Sequence, residues 1–303
     1  MSGASVQGVI EPVAALGQAS RARSARGPNA RRALSTAAWY VVLTALAVVT
    51  VFPFAWMLLT SLKGPLDPIN SVPPQLLPGD PTLANYEKVL DILPIPTFFL
   101  NSLIVAVAVG ALNVLVAAMA AYPLAKMRFP GREAIFYALL ATLIVPAQLT
   151  YIPSFVLAVN VFHYYDSLPA LILPNLVSAF NIFLLRQALR GVPNDLIDAA
   201  RVDGAGEWRI WWRILLPIIR PSLAAVAIFT FVTSWNDFLW PSLMLHTRDG
   251  MTLPVGLAAL QSFFQSDFRS IAAGVTITVI PILLFFVVVQ RYFVRGLAGA
   301  VKG

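Results

Sequence analysis

The 303-residue chain has no cysteine, only two histidines, and few charges, with Asp, Glu, Lys and Arg making up 12 % of it. Each scarcity excludes something. Without cysteine there are no disulfides, thiolate metal sites or cysteine nucleophiles. His163 and His246 stand apart, with no second ligand at metal-binding spacing. No glycine-rich loop followed by Lys is present, so the chain offers no phosphate cradle of its own for ATP. Ser/His, paired-Asp and His-Glu-x-x-His constellations are missing from the apolar segments, which argues against an intramembrane enzyme. A charged fraction this low, about half of what soluble domains carry, also excludes a soluble globular protein.

What is abundant is apolar. Hydrophobic residues reach 58 % and mean hydropathy is +0.77. A soluble chain could not cover that surface with so few charges, so lipid is the solvent for much of it. A helix needs roughly 20 apolar residues to cross the hydrocarbon core. Windows free of formal charge occur at 33–62, 92–125, 134–165, 167–185, 221–236 and 270–290. They predict an all-α polytopic membrane protein with six spans, at about 36–61, 98–124, 134–158, 167–187, 218–240 and 270–291. Pro146 and Pro153 predict a kink or break in the third. Residues 1–35 read as a basic, disordered cytoplasmic tail, too long and polar for a cleavable signal peptide. Between spans, 83–93 and 255–264 are compatible with short helices.

The net charge of +7 is explained by topology. With both termini cytoplasmic and six spans, seventeen of the 21 Lys and Arg fall inside; Lys63, Lys88, Arg248 and Arg269 remain outside. Cytoplasmic loops carry this bias, and nucleic acid is not needed to account for the basic charge.

One inside loop, 188–217, is patterned. Pro193, Asn194 and Asp195 open a helix. Leu196, Ala199 and Ala200 follow at helical spacing. Gly204 permits the positive φ of a helix end, and Gly206 restarts the chain. Trp208, Trp211, Trp212 and Leu215 form a second helical stripe, closed by Pro217. The spacing predicts helix, glycine turn, helix at the cytoplasmic surface, with two alanines allowing close approach of another protein. A lone interfacial amphipathic helix explains neither the Ala-rich first helix nor the turn.

Asp198-Ala199-Ala200, Asp203-Gly204-Ala205 and Ile214-Leu215-Leu216-Pro217 resemble the EAA loop of ABC importer permeases. The spacing of that pattern matches throughout, and Asp198 stands where the family has Glu. Three further segments are similar to sugar-type members: 121–125 with 128–132, Trp235-Asn236-Asp237-Phe238-Leu239-Trp240-Pro241, and 290–294 with the ending 299–303, the last like the maltose-type second permease subunit. The resemblance covers about 36–303. It implies a type I importer (MetI-like) permease fold in a bacterial or archaeal cytoplasmic membrane. It also implies a second permease subunit, two ATPase subunits that hold the ATP and Mg, and an extracytoplasmic binding protein. This chain itself would bind no cofactor and hydrolyse nothing. Asp198, Ala199, Ala200, Asp203, Gly204, Ala205, Ile214, Leu216 and Pro217 would then couple the ATPases to the spans.

Polar groups inside spans are costly and mark pathways. Asn175, Asn181, Trp235, Asn236, Asp237 and Trp240 combine amides, a carboxylate and aromatic faces, a mixture that suits a sugar. Two readings stay open for them: a solute path, or an outer-end belt, cap and interhelical hydrogen bonds. The rival class is an ion-coupled secondary transporter, which needs buried coupling carboxylates and often internal repeats. Asp237 is the one acidic candidate, and no repeat is evident.

Overall fold

The computed structural model describes residues 30–69, 71–73, 75–264 and 267–300, with side chains except at 30–34, 262 and 288–300. The basic leader up to residue 29 and the last three residues, where part of the expected tail and ending motif falls, lie outside the described residues. All regular structure among the described residues is helical.

One compact unit ends at Trp56 and a second begins at Met57. Helix α1 (Ala30–Ser61) starts ahead of the expected residue 36 and carries Pro53 inside it. From Trp39 to Phe54 its apolar side chains are exposed, as a helix solvated by lipid requires.

The second unit runs α2 (Ala84–Ile92), α3 (Ile95–Lys126), α4 (Arg132–Thr142), α5 (Ala147–Asn160), α6 (Leu168–Ile172), α7 (Ala179–Arg190), α8 (Asn194–Val202), α9 (Glu207–Ile210), α10 (Arg220–Trp235), α11 (Leu239–Met244), α12 (Leu253–Phe264) and α13 (Phe268–Ala300). Helices α2 and α12 match the expected short helices between spans. After α9 the chain continues through a π turn (Trp211–Leu215) and a last short stretch, Leu216–Ile218.

Helix α3 is the hub. Ala106, Gly110, Ala117, Ala118 and Ala121 are buried along it, and such small residues let the neighbouring helices α7 and α10 come close. The apolar interior falls into three clusters. The first joins the end of α3 to α7, α8 and α9 through Tyr122, Leu185, Leu189, Ile197, Ile210, Trp211 and Leu215. The second gathers Phe98, Phe231, Trp235, Leu260 and Ala273. Gly256 is obligatory beside it, because an added Cβ would lie 2.2 Å from the Phe98 ring. The third sets Val105 and Val109 against Ala170, Leu171, Trp240 and Met244.

Three helices are long and apolar enough to cross a membrane alone: Ser35–Ser61, Ile95–Lys126 and Phe268–Val287. The expected third and fourth spans are bent pairs, and a further bend sets the loop segment Glu207–Ile218 against α10 of the expected fifth. Helices α4 and α5 meet at 96° around Pro146, which has extended ψ and no N–H to continue a helix; Pro153 lies inside α5 without breaking it. Leu168–Asn175 and α7 meet at 45°, and Glu207–Ile218 and α10 at 79°, with Ile219 and Pro221 at the second corner. The expected fifth span is therefore interrupted twice, once before Arg220 and again at 236–238.

Candidate coupling surface and polar cavity

The loop 188–217 folds as helix, turn and helix. Helix α8 opens after Pro193 with Asp195 in its first turn, where a negative charge meets the positive helix end. It closes on Gly204 at φ +78°. The Ala205 N–H donates to the Ala200 carbonyl at 2.9 Å and the Gly204 N–H to the Arg201 carbonyl at 3.0 Å. This pair of bonds satisfies the last carbonyls of α8 and demands a left-handed residue between them.

The faces differ from the expected ones. Ile197 and Ala200 point into the first cluster, whereas Leu196 and Ala199 are exposed. Hence Ala199 alone offers close approach from outside; Ala200 serves packing within the chain. The tryptophan stripe divides similarly. Trp211 and Leu215 are buried, with Trp211 Nε1 donating to the Ala118 carbonyl at 3.3 Å, while Trp208 and Trp212 are exposed. The physical reason is helix rotation: Ile210, which the stripe omitted, is fully buried and turns the inward face by one residue. The outward surface thus carries Leu196, Asp198, Ala199, Val202, Asp203, Gly204, Trp208 and Trp212. Ala205, Ile214, Leu216 and Pro217 are half-buried behind it.

Charges fix this surface to the spans. Arg201 reaches Asp198 at 3.4 Å and Glu207 at 3.0 Å, tying α8 to α9. The hydrogen bond from Arg201 to Glu207 pushes the guanidinium still further up, so it stays charged. Tyr122, near the end of α3, donates to the same Glu207. Lys126 donates to the Val192 carbonyl at 2.5 Å and to Asn194 Oδ1 at 2.8 Å. Deeper still, Arg186 is 2 % exposed; it donates to the Leu124 carbonyl at 3.0 Å, pairs with Glu133 at 2.8 Å, and lies 3.6 Å above the Phe136 ring. One buried cation therefore clamps α3, α4 and α7 together just above the patterned loop. Sequence reading missed this clamp, although an arginine at the end of an expected span was a usable signal.

A second feature is a polar cavity of about 350 Å³ among α3, α5, α7 and α10. Asn113, Tyr151, Asn175, Ser178, Asn181, Thr230, Thr233, Ser234 and Asp237 line it, with Val109, Val177 and Phe229. Asn181 Nδ2 donates to Asn113 Oδ1 at 2.6 Å and to Thr230 Oγ1 at 2.9 Å. Asn113 in turn donates to the Asn175 carbonyl at 2.9 Å. Asn181 Oδ1 is buried with no hydrogen-bond partner, an acceptor of the kind that is expensive to leave unmet. The Asp237 carboxylate faces the backbone N–H groups of Leu239 and Trp240.

Three of the expected residues do not line this cavity. Trp235 packs between Phe99 and Phe231, with ring centroids at 5.5 Å and 5.7 Å. Trp240 is buried and donates to the Ala170 carbonyl at 3.0 Å. The Asn236 side chain turns back to the Val232 carbonyl at 2.8 Å. Tyr151 and Thr230 line the cavity without having been singled out. No cluster of metal-ligating side chains occurs among the described residues, and His246 is instead hydrogen-bonded to Tyr165 at 2.8 Å.

Comparison with known proteins places these features in context. The family described as "Binding-protein-dependent transport system inner membrane component" matches residues 24–299. The arabinooligosaccharides transport system permease protein AraQ of Halalkalibacterium halodurans is 35 % identical over 261 residues, covering 85 % of this chain and 93 % of that protein. The diacetylchitobiose uptake system permease protein NgcG of Streptomyces coelicolor is 37 % identical, covering 83 % and 84 %. The lactose transport system permease protein LacG of Rhizobium radiobacter is 33 % identical, covering 90 % and 98 %. A solved bacterial ABC transporter involved in import of the acidic polysaccharide alginate shares the fold, with a TM-score of 0.76 at 22 % identity, over 88 % of this chain and 99 % of that one.

Proposed function

This chain belongs to the family of binding-protein-dependent transport system inner membrane components, and we propose that it is one of two permease subunits of an ATP-driven importer for a sugar or related solute. The observation that carries this reading is the helix–turn–helix at 194–218. Its inner face is locked to α3 and α7, and its outer face leaves Ala199, Asp203 and Gly204 exposed. A rigid element of that kind transmits displacement, which a mobile loop cannot. On this reading six spans cross the membrane: the third and fourth are bent pairs, the fifth is carried by α10 with Glu207–Ile218 bent away from it into the coupling element, and both termini are cytoplasmic. Two ATPase subunits below hold ATP and Mg. Asp198, Ala199, Ala200, Asp203, Gly204, Ala205, Ile214, Leu216 and Pro217 form or back the coupling surface. An extracytoplasmic binding protein delivers the solute.

The polar cavity is the solute path on this subunit. Asn181, Asn175 and Asp237 supply polar groups along it for sugar hydroxyls, and the Phe229 and Tyr151 rings face the C–H side. Trp235 and Trp240 support the path by packing, and Asn236 lies beside it. The relatives' names, arabinooligosaccharides, diacetylchitobiose and lactose, favour a carbohydrate. Replacing Asn181 or Asp237 by Ala is expected to raise the apparent KM for uptake about tenfold, the loss of one or two sugar hydrogen bonds, with ATP still required. Unchanged KM in both variants would remove the cavity from the path.

A further inference from the structure

A second cavity, of about 530 Å³, is lined by Ala125, Lys126, Arg128, Arg132, Arg190 and the segment 191–194. It is built from cations. Arg132 is paired with Glu133 at 2.9 Å. Lys126 has only neutral acceptors, the Val192 carbonyl and Asn194 Oδ1. No ion pair engages Arg128 or Arg190 among the described residues. The carboxylates nearby are already committed: Glu133 to Arg132 and Arg186, Asp198 and Glu207 to Arg201. Asp195, in the first turn of α8, does not line the cavity. Three uncompensated cations around one concave space call for an anion.

The surroundings say which. The cavity sits where apolar α3 ends and α4 begins, and α4 turns Ile135 and Tyr137 outward, 50 % and 64 % exposed. An anion that also carries acyl chains fits both surfaces, the headgroup among the cations and the chains along α4. Basic pockets between spans on the cytoplasmic side bind acidic headgroups in this way. We infer that this cavity is a binding site for the phosphate headgroup of an anionic membrane lipid. The site adjoins the start of α8 but contains none of the residues proposed to meet the ATPase; it is distinct from the polar cavity and does not depend on which solute is carried.

The test uses the purified transporter in lipid nanodiscs, titrated with phosphatidylglycerol and read by native mass spectrometry. Each basic side chain near a membrane surface contributes about fivefold in affinity, so Arg128→Gln with Arg190→Gln is expected to weaken binding about 25-fold. Arg128→Lys with Arg190→Lys keeps the charge and should retain most of the binding, and Arg220→Gln, outside the cavity, should match the wild type. Three results would overturn the assignment. One is equal lipid binding by the Gln pair. Another is displacement of the bound lipid by inorganic phosphate at equal concentration, which would make the site one for a free anion. The last is loss of the ATPase subunits from the Gln pair in phosphatidylcholine alone, which would make the cavity a protein contact.

Discussion

Gly204→Trp is expected to insert and accumulate normally yet to reduce ATP-driven uptake to background and abolish substrate-stimulated ATP hydrolysis. Gly204 holds φ +78°, and no heavy atom lies within 4 Å of where its Cβ would be. A Cβ at this position therefore meets no neighbour in its own chain, and the turn itself is exposed. The variant bears only the local strain of a left-handed conformation, about 1–2 kcal/mol. That is too little to unfold a chain held by three apolar clusters. The indole would instead project from the surface proposed to meet the ATPase. A contact that depends on close approach cannot absorb a side chain of that size. Gly204→Asn, which tolerates the same φ and is small, should retain part of the activity. Normal uptake by Gly204→Trp would sink the coupling assignment.

The second large effect concerns the clamp. Glu133→Ala is expected to lower the thermal midpoint of the solubilised protein by on the order of 5–10 °C, and more than Arg186→Met does. The asymmetry follows from burial. Glu133 is 46 % exposed on its side chain and Arg186 is 2 %. Removing the arginine leaves a carboxylate that water can reach. Removing the glutamate leaves a guanidinium enclosed by the Leu124 carbonyl and the Phe136 ring, with its charge uncompensated. The double replacement should recover much of the loss, because both charges are then gone. Equal or reversed effects of the two single variants, by thermal unfolding followed on size exclusion, would mean that the pair does not hold α3, α4 and α7.

The difference between what was legible in the sequence and what was not has physical causes. Long charge-free windows at 92–125 and 270–290 became the long helices α3 and α13, because lipid forces backbone groups to bond within a helix. The glycine turn was legible because only a left-handed residue closes α8 as observed. Helix faces were less so. Leu196, Ala199 and Ala200 share a helical spacing, yet Ile197 and Ala200 are the residues that turn inward, since a three-residue stripe does not fix rotation when Ile and Leu are adjacent. The bends were legible only where proline announced them. Pro146 gave the 96° corner, whereas the break at 236–238 carries no proline within it. The polar cavity was half legible. Asn175, Asn181 and Asp237 were visible as polar residues in apolar runs, but Thr230 and Tyr151 look like ordinary span residues until α5 and α10 are brought together. Trp235 and Trp240 drew notice for their chemistry, and tertiary packing uses them for their volume.

The most direct measurement is uptake of radiolabelled oligosaccharide into proteoliposomes containing this chain with its partner permease and ATPase subunits. The expected result is accumulation that requires ATP and the binding protein, persists when ion gradients are collapsed by ionophores, and vanishes when the ATPase subunits are omitted. Accumulation driven by a proton or sodium gradient with this chain alone would contradict the account.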